Sequence, residues 1–215
     1  MNNETFNFFV GKTIYLRLFE PSDYEYTYQW RNDYDIQKMT CGPIRFVSKE
    51  IEKEWVLQKS IHNAKDIYLA ICVKENDKMI GYYSINDIDL LNRSCFCGGI
   101  VIGDQDYQDG IVYMEVLRLI RKYLFLQLNM HRITAACLRE HITSRAQMES
   151  SNWKLEGIKR DAIFKNGRYH DIYEYSLLED EYQLSLQNPI SEMEYIKRFA
   201  AIAKRLKVEI TDDRL

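Results

Sequence analysis

The segment from Gly99 to about Leu128 constrains the fold of this chain more than any other. A short apolar run, Gly99-Ile100-Val101-Ile102, leads into a polar loop. Val112, Val116, Leu119, Ile120, Tyr123 and Leu124 then recur at three- and four-residue steps. The run predicts a buried strand, and the stripe predicts a helix with one face in the core. Upstream, the apolar segments are joined by hairpin-like turns, whereas one helix separates neighbouring strands downstream. That order excludes a regularly alternating α/β fold and predicts an α+β sheet with a split.

The flanking segments fill in the order. Ile14, Leu16 and Leu18 alternate with Thr13, Tyr15 and Arg17, which predicts a strand over 13–18. Pro21-Ser22-Asp23 opens a helix through Trp30, and Ser48 caps another whose Ile51, Trp55, Val56 and Ile61 can form a buried stripe. Strands are predicted over 67–73 and 79–85, around a turn at Glu75-Asn76-Asp77-Lys78. Ile133–Leu138 reads as a strand and the segment after His141 as a helix. Lys154–Phe164 and Arg168–Leu177 pair across Asn166-Gly167, a two-residue hairpin signal. Beyond Glu179 the chain turns polar, and 189–206 forms an amphipathic helix with Met193, Ile196, Phe199, Ala203 and Leu206 in step. The expected organisation is a main domain over 1–182 and a helical extension over 183–215.

Composition narrows the function classes. The chain has 215 residues, 46% of them hydrophobic and 28% charged, enough for a sizeable core. Its formal net charge of −3 argues against a nucleic-acid partner, which calls for a basic field. The five cysteines (41, 72, 95, 97, 137) have no metal spacing, so buried thiols, no metal and a reducing cytoplasm are expected. The N-terminal residues lack a basic region and a long apolar run, so neither a signal peptide nor a membrane span is expected.

Several motifs in order resemble the GNAT superfamily of N-acetyltransferases, in the branch acting on ribosomal proteins, spermidine and amino sugars. They are Gly11-Lys12 through Leu18, Trp30-Arg31-Asn32-Asp33, Ile80-Gly81-Tyr82 and Gly99 through Tyr107. Further along come Glu115 to Leu119, Leu126 to Ile133, Trp153 to Gly157, Asn166 to Asp171 and Tyr175 to Leu178. The resemblance covers about residues 11 to 182 and implies the GNAT acyl-CoA N-acyltransferase fold: a mixed, mostly antiparallel sheet, splayed between its fourth and fifth strands and flanked by helices.

It also implies acetyl-CoA as the acetyl donor and a small-molecule or terminal amine as acceptor. The pantetheine arm would pair with Ile100, Val101, Ile102 and Gly103. The pyrophosphate would sit on the helix start, among Gln108, Asp109, Gly110, Ile111, Val112 and Tyr113, where a positive helix end favours it. His141, Ser144 and Met148 would lie beside the pantetheine, and Trp30, Arg31 and Asn32 would border the acceptor. His141, Ser144 and Asp87 are the candidate catalytic residues, with His141 open between a base, a polar contact and a plain helix cap. Asp87 is open between an amine anchor or base and a surface turn.

The loop departs from the family pattern. The family's two glycines fall on Asp109 and Ile111, its next small residue on Tyr113, and Gly110 is one place out of register. A non-glycine residue in the left-handed region costs about 1–2 kcal/mol. An Asp109 charge about 6 Å from the pyrophosphate, at an effective dielectric near 20, adds roughly 3 kcal/mol of repulsion before screening. Met148 stands where several relatives place a tyrosine that protonates the departing thiolate. Two functions are therefore weighed: an N-acetyltransferase acting by direct transfer on an α-amine or amino sugar, and a GNAT-fold binding module without efficient coenzyme A use. No membrane partner is expected, and the tail helix leaves a homodimer open.

Overall fold

The computed structural model describes residues 8–62, 64–108 and 110–212. The reading of residues 1–7 as free of a targeting segment, and every expectation for Asp109, lie outside the described residues. Among the described residues no helix is long and apolar enough to cross a membrane. The chain divides into two compact units, residues 1–36 with 45–131 and residues 37–44 with 132–215.

The first unit is a four-stranded antiparallel sheet with helices. Its strands are β1 (Ile14–Leu18), β2 (Ile67–Val73), β3 (Met79–Asp89) and β4 (Ser94–Ile102), side by side in that order. A 3-10 turn at Pro21–Asp23 leads into α1 (Tyr24–Arg31), followed by the short α2 (Tyr34–Gln37) and by α3 (Lys49–Ile61). Ser48 caps α3 by accepting from the Ile51 amide at 3.3 Å. α4 (Ile111–Leu126) buries Val112, Val116, Leu119, Ile120 and Leu124, the stripe read from the sequence.

Glu115 fixes α4 to the start of β1. Its carboxylate, 9% exposed, accepts from the amides of Lys12 and Thr13 and from the Thr13 hydroxyl. A Cβ on Gly11 would overlap that carboxylate, so the glycine is a packing requirement.

α3 corrects the expected stripe. Ile51 and Ile61 are each 58% exposed, whereas Val56 and Glu52 are fully buried. The helix is turned by the Arg31–Glu52 ion pair at 2.8 Å, which no hydrophobic pattern reports. β3 and β4 also run further than expected, to Asp89 and back from Ser94, because Cys95 and Cys97 supply the inward face of the longer hairpin.

The second unit holds β5 (Arg132–Leu138), β6 (Lys154–Lys165) and β7 (Arg168–Leu178), with β7 central and all pairs antiparallel. Asn166 and Gly167 take φ of 50° and 79°, the left-handed pair that a two-residue hairpin needs. The helices are α5 (Ile142–Ser150), α6 (Glu179–Gln187) and α7 (Glu192–Asp212). α6 is missed by the hydrophobic pattern because its residues are mostly polar and only Tyr182 is buried.

α7 packs on α5, and its inward face keeps the later part of the predicted stripe, with Phe199 and Ala203 half-buried, but not the first part. Leu206 is fully buried, but Met193 and Ile196 are 64% and 51% exposed. Polar contacts fasten the helix: Tyr195 to Gln147 at 3.2 Å, Arg145 to Glu209 at 3.0 Å, and Arg205 to Glu149. Four cysteines are buried free thiols as expected, while Cys41 is half-buried.

Candidate active site

In the first unit the candidate residues gather around the end of β4. Between Ser84 and Ile85 of β3 the register shifts, and β4 carries one extra residue at Gly98-Gly99. Such a bulge bends a strand and re-aims its remaining residues. Gly99 has φ of 117°, so that position calls for glycine, and a Cβ on Gly98 would make the side chains of Asn86 and Ser84 move. Adjacent glycines inside a strand are a bulge signal that the sequence reading did not use.

Beyond the bulge, Ile100, Val101, Ile102 and Gly103 are half-exposed. The Trp30 indole lies flat against Gly103, where any Cβ would overlap Cδ2, Nε1 and Cε2 of the ring. The sequence placed Trp30 with the acceptor and Gly103 with the donor, and the structure brings the two into contact.

From Gly103 the chain makes a 3-10 turn at Gln105–Tyr107, in which Asp104 accepts from the Asp106 amide at 3.1 Å. The Gln108 side-chain amide reaches back to the Ile102 carbonyl at 2.8 Å. Gly110 then takes φ of 89° immediately before α4, with no heavy atom within 4 Å of the place a Cβ would occupy. The left-handed residue is thus the glycine itself, and Ile111 is the first residue of the helix. The first intrahelical bond runs from the Met114 amide to the Gly110 carbonyl, so the amides of Ile111, Val112 and Tyr113 form the positive end of the helix. A left-handed glycine just before a helix start is a backbone geometry compatible with a bound pyrophosphate, so Gly110 and the start of α4 are compatible with coenzyme A.

Trp30 also begins an aromatic array. It stacks on Tyr82 at 6.3 Å; Tyr82 meets Trp55 at 6.4 Å, and Trp55 meets Tyr68 at 5.3 Å. Burial pushes the Tyr82 hydroxyl up to about 12. Several ring faces already carry cations of the chain. Arg31 lies 4.5 Å over Trp55, Lys59 lies 4.9 Å over Tyr68, and Lys53 lies 5.2 Å over Tyr24. Arg31 is also held by Glu52, whose carboxyl burial pushes above its ordinary value. Asn32 ties α1 to the following loop, accepting from the Val47 amide at 2.9 Å and donating to the Val47 carbonyl at 3.1 Å. Asp87 sits on β3 with φ of 51°, its carboxylate in solvent and its amide donating to Asp66 at 3.3 Å.

In the second unit, His141 and Ser144 lie at the start of α5, and Met148 lies one turn beyond Ser144 on the same helix. His141 is the helix N-cap: the Ser144 amide donates to its Nδ1 at 3.2 Å. An accepting nitrogen carries no proton, so the neutral ring bears its hydrogen on Nε2, 3.3 Å from Ser144 Oγ. Acting as a base would require His141 to release the cap. Met148 offers a thioether and no proton.

Burial, the main cause, lowers the His141 pKa from 6.5. The stability this imidazole supports is complete above that value, where both folded and unfolded rings are neutral. It is lost as the pH falls toward the lowered folded value, since the unfolded chain takes up the proton first. His141→Ala should cost about 1 kcal/mol near neutral pH through loss of the cap. Between about pH 7.5 and 5.5, urea unfolding should show the wild type losing more stability than the variant.

Comparison with known proteins gives the class of the protein, an acyltransferase of the GNAT type. Residues 13–154 match the family model described as the acetyltransferase (GNAT) domain, and the chain belongs to that family. It is 27% identical to the uncharacterized N-acetyltransferase YnaD of Bacillus subtilis, over 80% of this chain and 96% of that protein. It is 30% identical to the uncharacterized N-acetyltransferase p20 of Bacillus licheniformis, over 78% of this chain and 93% of that one. Among solved structures it resembles the spermidine N-acetyltransferase of Vibrio cholerae in complex with CoA and spermine. That likeness has a TM-score of 0.72 and 22% identity, over 80% of this chain and 98% of that one. The fold is therefore the mixed α+β GNAT fold, and the protein is an N-acetyltransferase that uses acetyl-CoA.

Proposed function

We propose that this N-acetyltransferase transfers its acetyl group directly to a primary amine of low basicity, an α-amine or an amino sugar. The observation that carries this is the set of cations already lying on the aromatic faces around α1 and α3. A polyamine would have to displace Arg31, Lys59 or Lys53 to use the rings of Trp55, Tyr68 or Tyr24. An amine whose neighbouring groups are hydroxyls or a peptide carbonyl meets no such competition.

Proton energetics point the same way. The attacking nitrogen must be neutral, which at pH 7 costs roughly 4–5 kcal/mol for a lysine-like amine and about 1.4 kcal/mol for one of pKa near 8. His141 has its lone pair in a helix cap, and Asp87 is in solvent. Neither is placed to absorb the larger cost, so Asp87 is assigned an amine-anchoring role.

Acetyl-CoA supplies an activated thioester in this site. Ile100 to Gly103 would orient the pantetheine arm, with the Ile102 amide, which strand alternation turns away from β3, directed at the thioester oxygen. Gln108 and the turn from Gly110 to Tyr113 would hold the pyrophosphate. Ser144 and His141 would serve as polar contacts, and Met148 as an apolar one. Trp30, Arg31 and Asn32 would shape the acceptor side. A thiol of pKa about 8.5 leaves without obligatory protonation, so a methionine in the tyrosine's place is tolerable. We assign the chemistry to residues 1–182 and read 183–215 as an appended helical segment that braces α5.

The test is a panel of peptides with free α-amines, amino sugars, spermidine and Nα-blocked lysine at neutral pH. An α-amine or amino sugar should be preferred in kcat/KM by about 100-fold over the more basic amines, the ratio of neutral fractions. Selective, robust acetylation of spermidine, or of the lysine side chain, would overturn the proposal.

A further inference from the structure

Lys78 closes the turn between β2 and β3, and hydrogen bonds fix its backbone on both sides. Its carbonyl accepts from the Val73 amide at 2.9 Å, and its amide donates to Asn76 Oδ1 at 3.1 Å. Its ammonium meets Asp104 Oδ2 at 2.5 Å. Asp104 follows Gly103, where the chain leaves β4 for the start of α4. Its side chain is only 15% exposed, and the bond from Lys78 is the main cause holding the carboxyl below its ordinary range.

The second carboxylate oxygen accepts from the Asp106 amide at 3.1 Å and caps the 3-10 turn Gln105–Tyr107. One side chain therefore joins the β2–β3 turn to the turn that leads to Gly110. The Ile80 carbonyl adds to this by accepting from the Gly103 and Asp104 amides at 2.9 and 3.2 Å. At the other end of the segment, the Gln108 side chain bonds back to the Ile102 carbonyl at 2.8 Å. Residues 103–108 are thus tied at their start by β3 and at their end by β4, all within the first unit.

This segment carries the wrong charge for an anion. Asp104 and Asp106 lie on it, and the sequence places Asp109 directly before Gly110. A carboxylate near a pyrophosphate repels it. Lys78 draws the Asp104 carboxylate to the β2–β3 turn and gives it a counter-charge there. We propose that Lys78 is a positioning residue for the acetyl donor: by holding Asp104 it sets the path of residues 104–108, and with it the affinity for the pyrophosphate part of coenzyme A. This rests on the reading that the pyrophosphate lies on the Gly110 turn and the start of α4.

Lys78→Met tests it with two donors, acetyl-CoA and S-acetylpantetheine, which lacks the pyrophosphate and the nucleotide. The acetyl-CoA KM should rise about three- to fivefold, the size of effect an ion pair with one exposed partner gives. The values of kcat, of the amine KM and of kcat/KM with S-acetylpantetheine should not change. In an Asp104→Asn background the same substitution should have little effect, because the carboxylate it holds is gone. In hydrogen exchange, the amides of Asp106, Tyr107 and Gln108 should exchange about three- to fivefold faster in Lys78→Met, and those of β1 should not.

An unchanged acetyl-CoA KM, or an equal loss with both donors, would overturn the role of Lys78. So would a full effect in the Asp104→Asn background, since Lys78 would then act on the donor itself. The donor site is tested separately in the wild type, where coenzyme A should slow exchange of the amides of Ile111 to Tyr113. No slowing there refutes the donor site and this proposal with it, whereas slowing with an unchanged KM in Lys78→Met refutes the role of Lys78 alone.

Discussion

Replacing Glu115 with alanine should lower the stability of the protein by about 3 kcal/mol, the sum expected when three donors lose a charged acceptor and are only partly rehydrated. The carboxylate takes hydrogen bonds from the Lys12 and Thr13 amides and the Thr13 hydroxyl, all more than 100 positions away in sequence. For a chain of this size the change corresponds to a fall of roughly 6–12 °C in Tm. Glu115→Gln keeps one acceptor oxygen and should lose about half as much. Thermal unfolding of the two variants is the check, and an unaltered Tm for Glu115→Ala would show that the β1–α4 junction is held by something else.

The second large effect is expected at Gly103. In Gly103→Val the new side chain would occupy the space of the Trp30 indole, which is 8% exposed and backed by the core cluster of Phe19, Val56 and Met79. The ring cannot retreat into a packed core without strain of about 1–3 kcal/mol. The alternative is movement of the β4 end, on which the donor is proposed to lie. Either way the donor strand and the aromatic array lose their register. A displacement of about 1 Å in a reacting group costs on the order of 100-fold in rate, so kcat/KM should fall by at least that factor. Gly103→Ala should show the same direction with a smaller loss. Wild-type kcat/KM in Gly103→Val would mean that the Trp30–Gly103 contact does not shape the site.

Local signals in the sequence were legible where a neighbour three or four positions away decides the outcome. Asn166-Gly167 takes the left-handed pair, Ser48 and His141 cap their helices, and the Val112–Leu124 stripe faces the core. The misreadings arose where a polar partner far along the chain overrides hydrophobicity. Glu52 goes inside with Arg31 while Ile51 stays out, and at the start of α7 Tyr195 bonds Gln147 while Met193 and Ile196 stay exposed, though Phe199, Ala203 and Leu206 turn inward as read.

The loop before α4 is the instructive case. Alignment to the family glycines left Ile111 in a place that calls for positive φ. The chain instead starts its helix at Ile111 and makes the turn at Gly110. A shift of one residue preserves the left-handed turn without strain on a branched side chain. It also means that the donor site, as proposed, depends on backbone geometry that the sequence carries in one glycine.

That dependence gives the most direct test of the central claim, that acetyl-CoA is held on β4 and the Gly110 turn of this chain. Isothermal titration of the wild-type protein with acetyl-CoA should give saturable, one-to-one binding, and Gly103→Val should weaken it. An absence of binding by the wild type at millimolar ligand would contradict the account.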